Sequence, residues 1–243
     1  MQKTILATDL DGTFLGGTQQ QCDALYQWIS ERRNEIVLIY VSGRSLATMQ
    51  DVLTGLPLKP DHIIADVGTS VYSGPDHKPL AALTSWLDAG WPADAKAKIQ
   101  AVLREHPNLV AQPVVEGRRM SCFYTDEALA HAARAPLQAL GFDVLLSAHK
   151  YFDVLPQGVQ KGPTLLRTLA ALNLNPNRTL VAGDTLNDLS LFHTGLAGVA
   201  VANREPLLSQ ALVNLPHVHL STEDGAAGVL EALQRFHSPS ITA

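Results

Sequence analysis

The chain has 243 residues, of which 46% are hydrophobic and 17% charged. That is enough apolar material to fill one large or two modest cores, and it excludes a disordered or fibrous protein. A formal net charge of -5, with adjacent basic residues only at Arg32-Arg33 and Arg118-Arg119, gives no footprint for nucleic acid or an anionic membrane, so a small-molecule partner is expected.

In chain order, Thr4–Thr8 is predicted as a strand, Gln20–Arg33 as a helix, Ile36–Val41 as a strand, Ser45–Leu53 as a helix and His62–Asp66 as a strand. Unbroken apolar runs such as 36–41 suit strands covered on both faces, and their alternation with helices predicts a parallel sheet. From about Leu83 to Gln157 the pattern changes. Interrupted strand candidates at Leu109–Gln112, Met120–Tyr124, Val144–Ser147 and Phe152–Leu155 are separated by helices at Asp94–Glu105 and Glu127–Leu140, which predicts an α+β insertion. Alternation then returns: helix Gly162–Leu172, strand Thr179–Ala182, helix Asp188–His193, strand Leu196–Val201, helix Pro206–Leu212, strand Val218–Leu220 and helix Ala226–Phe236. The expected organisation is an α/β core from residues 1–82 and 158–243, with the insertion at 83–157 between Pro/Gly-rich boundaries.

Ligands of an open parallel sheet collect beyond the carboxyl ends of its strands. After the first strand come Asp9 and Asp11, in Thr8-Asp9-Leu10-Asp11-Gly12-Thr13. A turn at Gly12 frees the two carboxylates from opposite strand faces. Two crowded anions call for a bound cation, a shared proton, or a division of labour between nucleophile and acid; an ordinary Asp-Gly turn is the plain alternative. After the second strand comes Ser42-Gly43-Arg44, Lys161-Gly162 opens the helix that follows the insertion, and Gly183-Asp184-Thr185-Leu186-Asn187-Asp188 follows the strand at 179–182. Taken singly, these are helix caps, turns or a solvated lysine. Together and in this order they are the parts that hold a phosphate and Mg²⁺. His217 and His219 are the only close histidine pair, and strand alternation turns both toward solvent, so no zinc site is expected.

With these motifs the chain resembles the haloacid dehalogenase superfamily of phosphotransferases. Asp9-Leu10-Asp11-Gly12-Thr13 matches its first motif, Val41-Ser42-Gly43-Arg44 its second, Lys161-Gly162 its third and Gly183 to Asp188 its fourth. The resemblance covers the whole chain and implies a Rossmann-like core with an inserted C2-type cap. A narrower resemblance is to the sucrose-phosphate phosphatases and their disaccharide-phosphate relatives, carried by Tyr40 to Ser45, Asp66-Val67-Gly68-Thr69-Ser70-Val71-Tyr72, Asp153-Val154-Leu155-Pro156 and Gly198 to Asn203. The chain departs from them at Arg118-Arg119-Met120-Ser121, where those enzymes tend to carry a lysine-containing strand.

The resemblance implies a Mg²⁺-dependent phosphomonoester hydrolysis. Asp9 is the expected nucleophile that forms an aspartyl-phosphate, and Asp11 the acid and base for the leaving alcohol and the water. Metal contacts are implied for Asp9, the Asp11 backbone carbonyl, Asp184 and Asp188, and phosphate contacts for Ser42, Gly43, Lys161 and Asn187. Arg44 either reaches the ligand or ties down its own loop. Sugar recognition is expected from Gln112, Arg119, Tyr124, His149, Lys150 and Asp153. A disaccharide phosphate such as sucrose 6-phosphate is the leading substrate, with mannosylfructose phosphate and glucosylglycerate-type phosphates beside it. A phosphomutase and a catalytically silent sugar-phosphate-binding domain are the competing classes. With Cys22 and Cys122 far apart in sequence, no leader-like N-terminus and no run of about 18 apolar residues, a cytoplasmic protein is expected. No heptad sets an oligomeric state.

Overall fold

A computed structural model of the chain describes residues 3–113 and 117–237. The outermost stretches of the two expected core segments, 1–2 and 238–243, lie outside the described residues. The first part of the chain forms β1 (Thr4–Thr8), α1 (Gln19–Glu31), β2 (Ile36–Val41), α2 (Leu46–Gly55), β3 (His62–Ala65), β4 (Ser70–Ser73), β5 (Lys78–Pro79) and α3 (Ala81–Ala89). The middle forms α4 (Ala95–Arg104), β6 (Val110–Ala111), β7 (Met120–Phe123), α5 (Glu127–Ala132), α6 (Arg134–Ala139), β8 (Phe142–Ser147) and β9 (Tyr151–Pro156). The last part forms α7 (Lys161–Ala171), β10 (Thr179–Gly183), α8 (Leu189–Phe192), β11 (Ala197–Ala200), α9 (Pro206–Ala211), β12 (Val218–Leu220) and α10 (Gly225–His237).

The fold is α/β, with an eight-stranded main sheet ordered β12-β11-β10-β1-β2-β3-β4-β5 and a four-stranded second sheet ordered β6-β7-β9-β8. The first six strands of the main sheet run parallel, and β4 and β5 extend it antiparallel beyond β3. Pleating explains the unbroken apolar runs. Leu6, Leu38 and Tyr40 pack on one face with Leu25, Ile29, Val229 and Leu233 of α1 and α10, while Ile5, Ala7, Val37 and Ile39 pack on the other with Leu165, Leu169 and Leu208 of α7 and α9. The second sheet is antiparallel throughout and packs the apolar side chains of one face, Cys122, Val144, Phe152 and Val154, against Ile99, Ala130 and Leu137.

The sequence reading missed β4, β5 and α3. Both strands are short and β5 contains Pro79, tolerated because β5 is the sheet edge and needs no further ladder bond there. Leu83 and Leu87 of α3 pack in the core under the main sheet, although they lie beyond the boundary expected at 83. The single helix expected over Glu127–Leu140 is two helices meeting at Ala133. Pro136 lacks the N–H that would bond the Ala132 carbonyl, so the first helix ends there. The two histidines also differ from expectation: His217 precedes β12 and its Nε2 lies 2.8 Å from the Phe192 carbonyl, while only His219 sits exposed on the strand, 3.6 Å from Glu231.

Helix α7 is docked unusually closely against α8. A Cβ added at Gly162 would lie 1.9 Å from the Ser190 carbonyl oxygen, and the Gly162 N–H donates to Ser190 Oγ at 3.0 Å. Gly162→Ala therefore forces the two helices apart. We expect it to cost about 2 kcal/mol, the ordinary penalty of overpacking, read as a lower midpoint in urea; an unchanged midpoint would show that the helices part freely.

Candidate active site

Parallel register brings the motif loops together. Thr8 is level with Tyr40 on β2 and with Ala182 on β10, so Asp9, Ser42 and Asp184 follow at one edge of the sheet. The Asp9 N–H still bonds the Ala182 carbonyl at 3.0 Å. The chain then turns through Asp11 (φ -73°, ψ 120°) and Gly12 (φ 81°). Only glycine fits at position 12, because that φ disfavours a side chain and a Cβ there would lie 2.2 Å from Asp184 Oδ2. Thr13 Oγ1 donates to the other Asp184 oxygen at 2.8 Å, a contact the sequence reading did not include.

Lys161 organises the centre. Fully buried at the start of α7, its Nζ donates to Asp9 Oδ1 at 2.7 Å, Asn187 Oδ1 at 2.7 Å and Asp188 Oδ1 at 2.6 Å. Burial alone would lower its pKa, but the Asp188 and Asp9 carboxylates outweigh that and hold it above its ordinary value. The second Asp188 oxygen accepts the N–H groups of Asp184 (3.0 Å) and Thr185 (3.1 Å), which fastens the 184–188 loop. Asp188 thus spends both oxygens on protein donors.

Asp9, Asp184 and Asp188 form the group of acidic ligands that the described residues offer to a metal, with their oxygens within 4.8 Å of one another. Against these three buried carboxylates, Lys161 is the single buried lysine among the described residues. Burial, with the neighbouring Asp188, pushes the Asp184 carboxyl up to about 7, and burial also raises Asp9 well above the usual carboxylate range despite the Lys161 charge. An all-oxygen, negatively charged donor set of this kind fits a hard divalent cation.

The Asp11 carboxylate is not in that group. It forms a two-pronged ion pair with Arg44, Nε to Oδ2 at 2.7 Å and Nη2 to Oδ1 at 2.6 Å. Ser42 is buried and its Oγ accepts the Arg44 N–H at 3.1 Å, while the neighbouring Gly43 and Arg44 line the cavity. The turn after β3 props this loop from below. Asp66 and Val67 take left-handed backbone angles (φ 54° and 58°), rare for a β-branched residue, and their N–H groups bond the carbonyls of Arg44 at 2.9 Å and Ser42 at 3.1 Å.

A cavity of about 510 Å³ opens above Asp9 and lies between the two sheets. Of the residues expected to recognise sugar, Gln112, Arg119, Asp153 and Arg44 line it. Tyr124 and His149 instead border a separate groove of about 260 Å³, and the Lys150 ammonium lies over the rings of Phe123 and Tyr151. Arg119 is held between two buried carboxylates, its Nε 3.1 Å from Asp66 on the main sheet side and Nη1 3.6 Å from Asp153 on β9. Asp153 also accepts from Ser121 Oγ. Burial raises the pKa of both acids, and the Arg119 charge opposes it. Thr48, Val67, Ser147 and Tyr151 line the cavity as well and were not anticipated. Alternation alone would have found Tyr151, two residues before Asp153 on the same strand face.

The model of the family described as Sucrose-6F-phosphate phosphohydrolase matches residues 2–237. Among curated relatives, a glucosylglycerol-phosphate synthase of Pseudomonas anguilliseptica is 42% identical over 96% of this chain. A mannosylfructose-phosphate phosphatase of Agrobacterium fabrum is 30% identical and covers 96% of each protein. The chain spans 30% of the synthase and 59–61% of plant sucrose-phosphatases that it also matches. Among solved structures, the sucrose-phosphatase of a Synechocystis species in complex with sucrose and phosphate superposes with a TM-score of 0.86 at 26% identity, covering 98% of this chain and 99% of that one.

Proposed function

We propose that this chain, which belongs to the sucrose-6F-phosphate phosphohydrolase family, hydrolyses the phosphomonoester of a phosphorylated glycoside, with sucrose 6-phosphate the leading substrate. The observation that carries the reading is the buried cluster of Asp9, Lys161, Asp184 and Asp188 under a cavity whose roof is the second sheet. Asp9 attacks phosphorus in line and forms an aspartyl-phosphate as the alcohol departs; water then cleaves that acyl-phosphate. Lys161 aims the attacking carboxylate through its 2.7 Å bond to Oδ1 and supplies fixed positive charge to the phosphoryl oxygens, together with Ser42 and the Gly43 amide. Asp11 protonates the leaving oxygen and later accepts the proton of water, a role that requires it to leave Arg44 or share it with the ligand.

Mg²⁺ fits the donor set: Asp9 and Asp184, each with an oxygen free of protein donors, would hold the ion, while Asp188 orients the loop. Such an ion would supply positive charge to offset that of the transferring phosphoryl group. Arg119 and Asp153 offer the charged, planar chemistry that holds sugar hydroxyls. Both cysteines are free and sit in different apolar clusters, in keeping with a reducing, cytoplasmic setting. Among the described residues, no helix is long and apolar enough to cross a membrane.

Glucosylglycerol phosphate is a second candidate substrate, favoured by the 42% identity to a synthase of that name. A phosphate-release panel separates the possibilities: sucrose 6-phosphate, mannosylfructose phosphate, glucosylglycerol phosphate, glucosylglycerate-type phosphate and hexose 6-phosphate, each with Mg²⁺ and with chelator. We expect a phosphorylated glycoside to exceed hexose 6-phosphate by about 10-fold or more, the discrimination available when the site's hydroxyl-binding groups would otherwise go unpaired, and chelator to stop release. Positional isomers in place of free phosphate would make the protein a phosphomutase, and binding without turnover would make it a silent sugar-phosphate-binding domain.

A further inference from the structure

Four buried side-chain polar atoms among the described residues have no hydrogen-bond partner: Asn108 Nδ2, Arg119 Nε, Ser147 Oγ and Arg178 Nε. Of these residues, only Arg119 and Ser147 line the cavity above Asp9. Arg119 Nε has the Asp66 charge 3.1 Å away. Ser147, 2% exposed, has nothing. An unpaired hydroxyl buried at a cavity wall is costly unless a ligand satisfies it.

The placement of Ser147 follows from the sheet. It is the last residue of β8, opposite Tyr151 on β9. Val144 and Leu146 point into the apolar core of the second unit, so alternation turns Leu145 and Ser147 to the opposite face, which Asp153 and Tyr151 share. Between Ser147 and Tyr151 the hairpin turns through Ala148 and His149, both with positive φ (52° and 46°).

That turn is pinned by a residue of the core domain, which borders the smaller groove. Glu205 accepts the Ala148 N–H with Oε1 at 2.8 Å and the Leu186 N–H with Oε2 at 3.2 Å, while its own N–H donates to the Asp184 carbonyl at 2.8 Å. One carboxylate thus joins the hairpin tip to the loop that carries Asp184, Asn187 and Asp188.

We infer that Ser147 is a specificity-determining residue whose hydroxyl bonds a hydroxyl on the alcohol portion of the phosphomonoester, and that Glu205 is the positioning residue that holds it over the site. This inference rests on the phosphorylated-glycoside reading and names one contact through which the glycoside is told from a simpler phosphate. Ser147 also borders the smaller groove, but only the main cavity reaches Asp9.

The test compares kcat/KM for the best glycoside phosphate of the panel with kcat/KM for p-nitrophenyl phosphate, which has no sugar hydroxyl. Ser147→Ala is expected to lower the ratio of the two at least 10-fold, roughly the worth of one buried hydrogen bond. Without ligand its Tm should equal or exceed that of the wild type, because an orphan hydroxyl has been removed. A ratio within twofold of wild type, or a lowered Tm that reveals an internal partner for the hydroxyl, overturns the assignment. Glu205→Gln should lower the same ratio, and the double variant should fall no further than Ser147→Ala alone; additive losses would show that Glu205 does not act through Ser147. Glu205→Asp, which keeps the charge and shortens the reach, serves if the glutamine variant does not fold. Wild-type protein that hydrolyses p-nitrophenyl phosphate and none of the glycoside phosphates overturns the substrate reading itself, before any variant is made.

Discussion

Asp9→Asn is expected to reduce phosphate release by a factor on the order of 10⁵, the usual scale for removing a nucleophile while the rest of the site remains. The substitution is nearly isosteric, and an amide oxygen can still accept the Lys161 ammonium that sits 2.7 Å from Asp9 Oδ1. Burial and the charges of Asp188 and Asp184 already disfavour an anion at this position. Stability should therefore hold or rise, and the loss should lie in kcat with the fold intact. Release of phosphate by steady-state assay, with thermal unfolding followed by circular dichroism, checks both halves. A variant that retains more than a tenth of wild-type turnover ends the nucleophile assignment.

Lys161→Met is expected to be damaging in two ways at once. The ammonium is fully buried and supplies three acceptors, Asp9, Asn187 and Asp188, with contacts of 2.6–2.7 Å. Methionine fills a similar volume but leaves three buried carboxylates with no buried cation among them. Removing one partner of a buried ion pair costs about 3–5 kcal/mol because the stranded charge stays desolvated. The 184–188 loop, fastened through Asp188 to the N–H groups of Asp184 and Thr185, should loosen with it. We expect a lower urea midpoint at neutral pH together with loss of turnover. An unchanged midpoint would mean that the carboxylates find other compensation and that Lys161 serves only the phosphate.

The motif loops were legible in the sequence because each follows a strand whose apolar run is long and unbroken. Residues 36–41 are buried on both faces, and a strand of that kind announces its own end when Ser42-Gly43-Arg44 begins. Asp9, Ser42 and Asp184 meet for the same reason, since parallel neighbours in register end level with one another. Asp11 was harder. Its side chain is more than half exposed and pairs with Arg44, a contact that depends on how the 42–44 loop is propped by the left-handed turn at Asp66 and Val67. Arg44 was expected either to reach the ligand or to tie down its own loop by ion pairing; its guanidinium pairs with Asp11, and the residue lines the cavity.

The insertion was legible only as a sheet of a different kind. Its strands pair antiparallel, so their order β6-β7-β9-β8 and the direction of each face come from long-range pairing that no local pattern encodes. That is why Tyr124, His149 and Lys150, chosen for their chemistry, fall outside the cavity, while Ser147 and Tyr151, plain by composition, line it.

By itself the sequence determined which chemical groups this protein gathers: two carboxylates after β1, a hydroxyl and glycine after β2, a lysine at the head of α7 and an acidic loop after β10, each placed by the start or end of its own element. Tertiary structure alone decided which groups face one another across the cavity. Arg119 reaches Asp66 across 53 positions of sequence, and Glu205 reaches Ala148 across 57. Contacts of that separation depend on how two sheets dock, which is set by the summed packing of many side chains and by none of the local signals that mark a strand end or a helix start.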